Sequence, residues 1–339
     1  MARSHVIVDL EAVRANARRL LEALGGSELW AVVKAEAYGH GAADVAPAAL
    51  DAGATALCVA TVAEALALRP AVPGARLIVM GPSDDDDVRR AREAGVELVV
   101  ATPRIPEGVP LHLKLDTGMG RWGLGELAVP GRDVVGLMTH FAASESDPAF
   151  TQLQLERFLA ATAPYAHLTR HAANSAAALT LPAAALDAAR CGIALYGVSP
   201  FGDDPAPWGL RPALRWESEI ALTKLLAAGE STGYGRRLVA AEPTWIGLVP
   251  VGYADGFRRD MTGAEVLVGG ERRRVVGTVS MDAVAVQLDG PVDAGTPVTL
   301  VGGGITVEGH ARTADTIAYE IVCGLVSSPP RATREVLHG

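Results

Sequence analysis

The chain has 339 residues, 49% hydrophobic and 20% charged, with a net charge of -9. That balance is ordinary for a soluble globular protein of one large domain with a smaller partner, and it excludes general binding to nucleic acid or to anionic membranes. Cys58, Cys191 and Cys323 are odd in number, widely spaced and without a CxxC pair, so a reducing, cytoplasmic setting with no structural zinc is expected.

The N-terminus, MARSHVIVDL, offers only a short apolar run before Asp9, less than a signal-peptide core needs, and no run of about 18 apolar residues occurs. Asp9 is a candidate N-cap for a first helix with Val13, Ala17, Leu20, Leu21 and Leu24 on one face. Eight apolar runs of strand length follow, beginning at 29, 56, 76, 97, 111, 134, 167 and 189. Segments with helical periodicity, such as TVAEALALR, DDDDVRRAREAG and FTQLQLERFLAA, separate most of them. Strands buried on both faces between helices are what a parallel sheet requires, and eight repeats predict a TIM-like (β/α)8 barrel over residues 1–210. In the interval after the fourth of these strands, TPRIPEGVP carries three prolines, which predicts a loop in place of a helix.

From 211 onward, valine-rich alternating segments with frequent glycine turns predict a separate, mostly β domain over 211–339. TADTIAYEIVCGL reads as a short helix near its end. The fold class is therefore α/β plus β.

Chemistry-bearing residues gather at the ends of the barrel runs. AVVKAEAYGHG places Lys34 at the end of the first. A strand-end lysine is ordinarily solvated, but one that is partly desolvated favours the free amine that Schiff-base chemistry needs. LKLDTGMGRWG places Lys114 in the fifth run and Arg121 after it, and MTHFAASE places His140 at the sixth. HAANSAAAL places Asn174 and Ser175 at the seventh, where Ser175 is a candidate helix cap, and ARCGIALYG places Arg190, Gly192, Ile193 and Tyr196 at the eighth. Carboxyl ends of barrel strands are where active sites form, and phosphate is expected after strands seven and eight.

Two motifs have competing readings. Gly118 to Gly123 spells G-x-G-x-x-G, yet a dinucleotide fingerprint needs a helix next, and LGELAVPG offers little. Gly229 to Gly233 spells the G-x-S-x-G of serine hydrolases, which requires a strand-to-helix elbow where the surroundings read as a hairpin. No basic and aromatic strip suggests nucleic acid, and no His/Cys/Glu set has metal-ligand spacing.

AVVKAEAYGHG together with LKLDTGMGRWG resembles the signature segments of the alanine racemase family, pyridoxal-phosphate (PLP) enzymes with a barrel and a β domain, and the resemblance runs nearly end to end. Glu36 departs from the family pattern, which has asparagine there, and brings a carboxylate near the lysine, where it could shift local pKa values or pair with an arginine. The resemblance implies that Lys34 carries PLP and is one catalytic base, that Tyr38 lies beside the phosphate, and that Arg121 contacts the cofactor's phenolic oxygen and the substrate. It also implies that Lys114 orients Arg121, often as a carbamate, that Arg190 faces the pyridine nitrogen, and that His140, Asn174, Ser175, Gly192, Ile193 and Tyr319 complete the cofactor site. Tyr234 would be the second catalytic base, tuned through His140 and Arg190, while Met281, Asp282 and Tyr253 would meet the substrate in a homodimer with shared sites. The activity implied is interconversion of L-alanine and D-alanine for cell-wall peptidoglycan. A racemase for serine or larger amino acids, a decarboxylase on the same barrel and a non-catalytic PLP carrier are the alternatives. Tyr234 and the segment SMD argue against the carrier.

Overall fold

The computed structural model describes residues 3–127 and 129–339. They form two compact units. One comprises Glu11–Phe201 with Pro205–Arg211; the other takes the chain up to Leu10, Gly202–Asp204 and Pro212–Gly339.

The first unit is a closed barrel of eight parallel strands: β2 (Glu28–Val32), β3 (Ala56–Val59), β4 (Leu77–Val79), β5 (Glu97–Val100), β6 (Leu111–Lys114), β7 (Val134–Met138), β8 (Thr169–His171) and β9 (Ala188–Cys191). These are the eight apolar runs of the sequence, and β9 closes on β2 with Arg190 opposite Trp30. Strands β3, β4 and β6 are buried at every position, as sheets covered on both faces must be. Helices follow as the periodicity predicts. Thr61 and Glu64 form a capping box at the start of Val62–Leu68, and Asp84 caps Asp85–Ala94. Residues 101–110, where the three prolines fall, contain no helix.

Two aspects of the N-terminus differ from the sequence expectation. A strand, β1 (Ser4–Asp9), precedes the first helix (Leu10–Leu24), and it belongs to the same unit as its neighbours, antiparallel to β10 (Leu214–Glu219) and parallel to β19 (Ala332–Leu337). The break expected at 210/211 thus leaves out a piece of the second unit that lies at the start of the chain. One N-terminal strand is inserted between β10 and β19, in a sheet whose other strands are more than 200 residues away in sequence.

That sheet has nine strands in the order β11-β14-β17-β16-β15-β18-β10-β1-β19, with β11 (Leu222–Leu226), β14 (Thr244–Val249), β15 (Glu265–Val268), β16 (Glu271–Val276), β17 (Val284–Leu288) and β18 (Pro297–Val301). Apart from β1 with β19, the pairs are antiparallel. A small hairpin, β12 (Ser231–Thr232) and β13 (Leu238–Val239), stands apart, with Leu238 packed on the cluster of Leu226, Ala240, Ile246, Val276 and Ala285. Short helices Val307–Thr313 and Ala318–Cys323 follow. No helix among the described residues is long and apolar enough to cross a membrane.

Candidate active site

Lys34 stands where β2 ends, and the backbone after it is unusual. Ala35, Glu36, Ala37 and Tyr38 all have φ between 51° and 55°, a left-handed turn made without glycine. Each such residue costs on the order of 1–2 kcal/mol, so the surroundings must hold it. Ala37 N–H donates to the Val33 carbonyl at 2.9 Å, Gly39 N–H to Ala35 at 3.0 Å and Gly41 N–H to Glu36 at 2.8 Å. The Glu64 carboxylate accepts from Ala35 N–H at 2.8 Å and from Ala60 N–H at 2.6 Å, tying the turn to the next strand. Tyr196 Oη donates to the Val32 carbonyl at 2.7 Å, and its ring stacks on His40 at 4.4 Å.

Glu36, the departure from the family pattern, is exposed and accepts from Ala42 N–H at 3.3 Å, at the start of helix Ala42–Asp51. That contact is a backbone cap, and no ion pair with an arginine is found for it among the described residues. Asparagine is the side chain that tolerates this left-handed conformation best, so glutamate here gives up conformational ease.

Tyr38 meets the far side of the barrel closure. A Cβ placed on Gly192 would lie 2.5 Å from Tyr38 Oη, so only glycine lets the phenol approach the backbone there. Ser175 Oγ, also buried, accepts from Gly192 N–H at 3.1 Å and Ala194 N–H at 3.3 Å. The cap expected of Ser175 belongs to Asn174 instead, whose Oδ1 accepts from Ala177 N–H at 3.0 Å and from Ser144 Oγ at 2.9 Å. The Asn174 backbone is extended while Ser175 is already helical, which makes the asparagine the cap and leaves the serine to the backbone that follows β9.

Arg190 is buried, and burial draws its pKa down to about 10, still leaving it charged at neutral pH. Nη1 donates to His171 Nδ1 at 2.8 Å and to the His171 carbonyl at 2.9 Å. Nη2 donates to the Thr139 carbonyl at 2.9 Å, with His140 Nδ1 and the Ala172 carbonyl both at 3.2 Å. Nε–H is the donor these contacts leave over. His140 is held well below the ordinary imidazole range by desolvation and then by Arg190, Lys114, Arg121 and Lys34, so it is neutral and accepts at Nδ1. Four cations therefore converge on one end of the barrel.

Lys114 is among them, 4% exposed, its pKa lowered to about 8 by burial, then by Arg190 and Arg121. The sign of the consequence is fixed. Between pH 8 and 10.5 the unfolded lysine holds a proton that the folded one has released, so this contribution to stability is complete above 10.5 and is lost as pH falls through 8. Denaturant titrations at several pH values are expected to show stability rising across that window more steeply in the wild type than in Lys114→Met.

Asp116 organises the segment carrying Arg121. Its carboxylate collects the N–H groups of Gly118, Met119 and Gly120 at 2.8 to 3.2 Å, which outweigh the opposing effect of burial and lower its pKa. The glycines serve this turn; no helix follows, and the dinucleotide reading falls. The hydrolase reading falls likewise, since Gly229–Gly233 lies in the β12 hairpin and Ser231 Oγ accepts from Arg236 Nε at 3.1 Å.

In the second unit, Tyr234, Tyr253 and Met281 are exposed at 72%, 42% and 52%, a concentration of large side chains that a folded surface ordinarily hides. Thr278 Oγ1 donates to the Tyr234 carbonyl at 2.7 Å, Tyr253 N–H donates to Ser280 O at 3.0 Å, and a Cβ on Gly252 would lie 2.2 Å from Ser280 O. The three turns are thus locked together. The buried Asp255 carboxylate ties two of them, accepting from Gly252 N–H at 2.8 Å and from Arg331 Nε at 2.8 Å, while Arg331 Nη2 reaches Asp282 at 2.6 Å. Half-buried Tyr319 lies on helix Ala318–Cys323, whose Glu320 pairs with Arg258. Asp255 and Arg331 are positioning residues that motif reading does not mark, because an aspartate between glycines reads as a turn.

The alanine racemase N-terminal domain model matches residues 8–200, and the C-terminal domain model matches residues 213–333. Alanine racemase 1 of Bacillus subtilis is 39% identical over 354 residues, covering 96% of this chain and 91% of that protein. The crystal structure of alanine racemase from Streptomyces lavendulae superposes with a TM-score of 0.90 at 36% identity, covering 100% of this chain and 98% of that one. That of Bartonella henselae, described with covalently bound pyridoxal phosphate, superposes with a TM-score of 0.89 at 26% identity, covering 99% of this chain and 100% of that one. With one N-terminal and one C-terminal domain match spanning nearly the whole chain, this protein belongs to the alanine racemase family.

Proposed function

We propose that the chain is a PLP-dependent enzyme that interconverts L-alanine and D-alanine, supplying D-alanine for the cell wall. The observation that carries this reading is the convergence of Arg190, Lys114, Arg121 and Lys34 on His140 at the carboxyl ends of the barrel strands. Such a concentration of positive charge is costly unless an anion shares it, and a phosphorylated, phenolic cofactor with an amino-acid carboxylate is an anion of the right kind. The residues fit PLP on two further counts. Tyr38, Ser175 and the Gly192 backbone form a glycine-dependent cradle for a phosphate, and the Nε–H of buried Arg190 remains for a ring nitrogen.

Lys34 Nζ holds the cofactor and moves the α-proton on one face of the substrate. PLP, when bound, supplies the electron sink that makes that proton removable. Arg190 donates a hydrogen bond without giving up its proton, which keeps the ring nitrogen neutral and favours return of the α-proton over deeper chemistry. Arg121, oriented by Lys114, meets the phenolic side; below pH 8 Lys114 is one of the four cations, and the neutral amine able to add carbon dioxide as a carbamate becomes abundant near pH 8. Asn174, Ile193 and Tyr319 complete the walls.

Tyr234 Oη moves the proton on the other face and comes from a second copy of the chain, whose Tyr253, Met281 and Asp282 meet the substrate carboxylate. The exposed aromatic surface around Tyr234 supports such a homodimer. His140, neutral and accepting at Nδ1 from Arg190, has its proton on Nε2, where it can stabilise the tyrosinate that a phenol must become to take a proton. Cys58, Cys191 and Cys323 form no disulfide with one another, which supports the reading of a cytoplasmic enzyme.

The test is chiral analysis of products from L- and D-alanine, with serine and larger amino acids in parallel, with and without added PLP. Alanine is expected to reach a 1:1 mixture from either side. Turnover of serine or a larger residue in preference to alanine would transfer the reading to a broader racemase, and decarboxylation or no turnover with PLP bound would overturn it.

A further inference from the structure

Barrels of this kind are filled by layers of branched apolar side chains. This one instead holds a line of polar groups, buried at His112, His171 and Arg190 and partly open to solvent at its Arg76 and Glu97 end. Arg76 grips Glu97 with Nε to Oε1 at 2.7 Å and Nη2 to Oε2 at 2.9 Å, and its guanidinium lies 4.7 Å over the Trp30 ring. Glu97 Oε2 is 2.7 Å from His112 Nε2, His112 Nδ1 is 2.9 Å from His171 Nε2, and His171 Nδ1 is 2.8 Å from Arg190 Nη1. Room for the first imidazole is made by Gly136, where a Cβ would lie 2.1 Å from His112 Nδ1.

The two ends fix the direction of every bond between them. Arg190 can only donate, and Glu97 can only accept while ionised. Its pKa is lowered to about 2, because hydrogen bonds from His112 and Arg76 outweigh the burial that would raise it. Burial keeps both histidines neutral, so each has one N–H and one bare nitrogen. His171 accepts at Nδ1 and donates from Nε2; His112 accepts at Nδ1 and donates from Nε2 to the carboxylate. Any other tautomer of either ring sets two hydrogens or two lone pairs against each other.

We propose that Glu97 is a positioning residue for Arg190: through the fixed tautomers of His112 and His171 it holds the guanidinium in the orientation that leaves Nε–H for the cofactor, and so governs how tightly PLP is held. The inference rests on the reading of Arg190 as the partner of the pyridine nitrogen. Without an acceptor at 97, His112 and His171 are free to exchange tautomers, and the Nδ1–H form of His171 points a proton at Arg190 Nη1. The guanidinium must then turn.

The experiment uses the full chain labelled with 15N-histidine, first without PLP and then titrated with it. Long-range proton–nitrogen correlation of the apoprotein is expected to show His112 and His171 as Nε2–H tautomers, and PLP is expected to shift both more than His310 of the other unit. Glu97→Leu is expected to give mixed tautomers at His171 and a PLP dissociation constant raised about 10-fold, in the range for lost outer partners of a site, while the absorbance of cofactor joined to Lys34 still forms at saturation. Glu97→Gln, whose amide oxygen can still accept from His112, is expected to restore the tautomers and most of the affinity. Because Glu97→Leu takes from Arg76 its two-point partner and leaves it Glu28 at 3.9 Å, the paired Arg76→Leu/Glu97→Leu chain is measured beside it.

An Nδ1–H tautomer of His171 in the wild type, PLP shifts no larger than those of His310, or wild-type PLP affinity in a folded leucine variant would overturn the proposal. The tautomers are read before any cofactor is present. A chain that shows them yet neither binds PLP nor racemises alanine would condemn the functional reading alone.

Discussion

Lys34→Ala is expected to abolish racemisation and the visible absorbance of joined cofactor together, with a fall in rate of about 10^4-fold or more, since both the covalent anchor and one proton-transferring group are lost. PLP itself should still bind weakly. The Tyr38, Ser175 and Gly192 cradle and the Arg190 guanidinium do not depend on the lysine side chain, so equilibrium dialysis is expected to find cofactor retained without the shifted absorbance. The variant should fold, because the left-handed turn that starts at Ala35 is held by backbone bonds and Glu64. Added methylamine, a small amine able to take the place of the missing Nζ, is expected to recover part of the absorbance and little of the rate. Racemisation by Lys34→Ala near the wild-type rate would remove the lysine from both of its assigned roles.

The barrel was legible because most of its strands are continuous apolar runs and the helices starting at Val62, Asp85, Pro148 and Ser175 begin at side-chain caps, both local signals. The loop at 101–110 was legible for the opposite reason, three prolines that no helix interior accepts. β1 was not, because six residues with a short apolar centre make a strand only when β10 and β19 arrive from more than 200 residues away. The same division runs through the site. Lys34, Lys114, His140 and Arg190 announce themselves at strand ends. His112, two residues before Lys114 and on the same face of β6, carries the alternation that points it inward, but a histidine amid leucines reads as a packed core residue until Gly136 and His171 are seen around it. Arg76 and Glu97 read as solvated strand starts, and only three-dimensional closure makes them a pair.

Glu36 shows where a letter misleads. A carboxylate two residues from the reactive lysine invites an electrostatic role, yet the left-handed turn carries its side chain out to Ala42 N–H. Backbone conformation, which the sequence does not print, decides which way the charge points.

Tyr234→Phe removes one oxygen and is expected to keep the cofactor absorbance while lowering racemisation about 10^3-fold, within the usual range for losing a proton-transferring group. The argument turns on faces. Inversion at a planar carbon needs a donor on the side opposite the group that took the proton, and Lys34 serves one side only. With phenylalanine at 234, exchange of the α-proton with solvent deuterium is expected to continue from the enantiomer that Lys34 serves and to stop from the other. The substitution leaves the hairpin intact, because Thr278 bonds the backbone carbonyl of residue 234 and the phenol is 72% exposed. Loss of stability therefore cannot stand in for loss of chemistry. Mixing Tyr234→Phe with Lys34→Ala protein supplies the deciding measurement. If each site draws its lysine from one copy and its tyrosine from another, a mixed dimer has one site with both groups, and activity is expected to reappear toward half of one wild-type dimer's rate per mixed dimer. Should both groups belong to one chain, the mixture stays inactive, and the shared-site dimer is wrong.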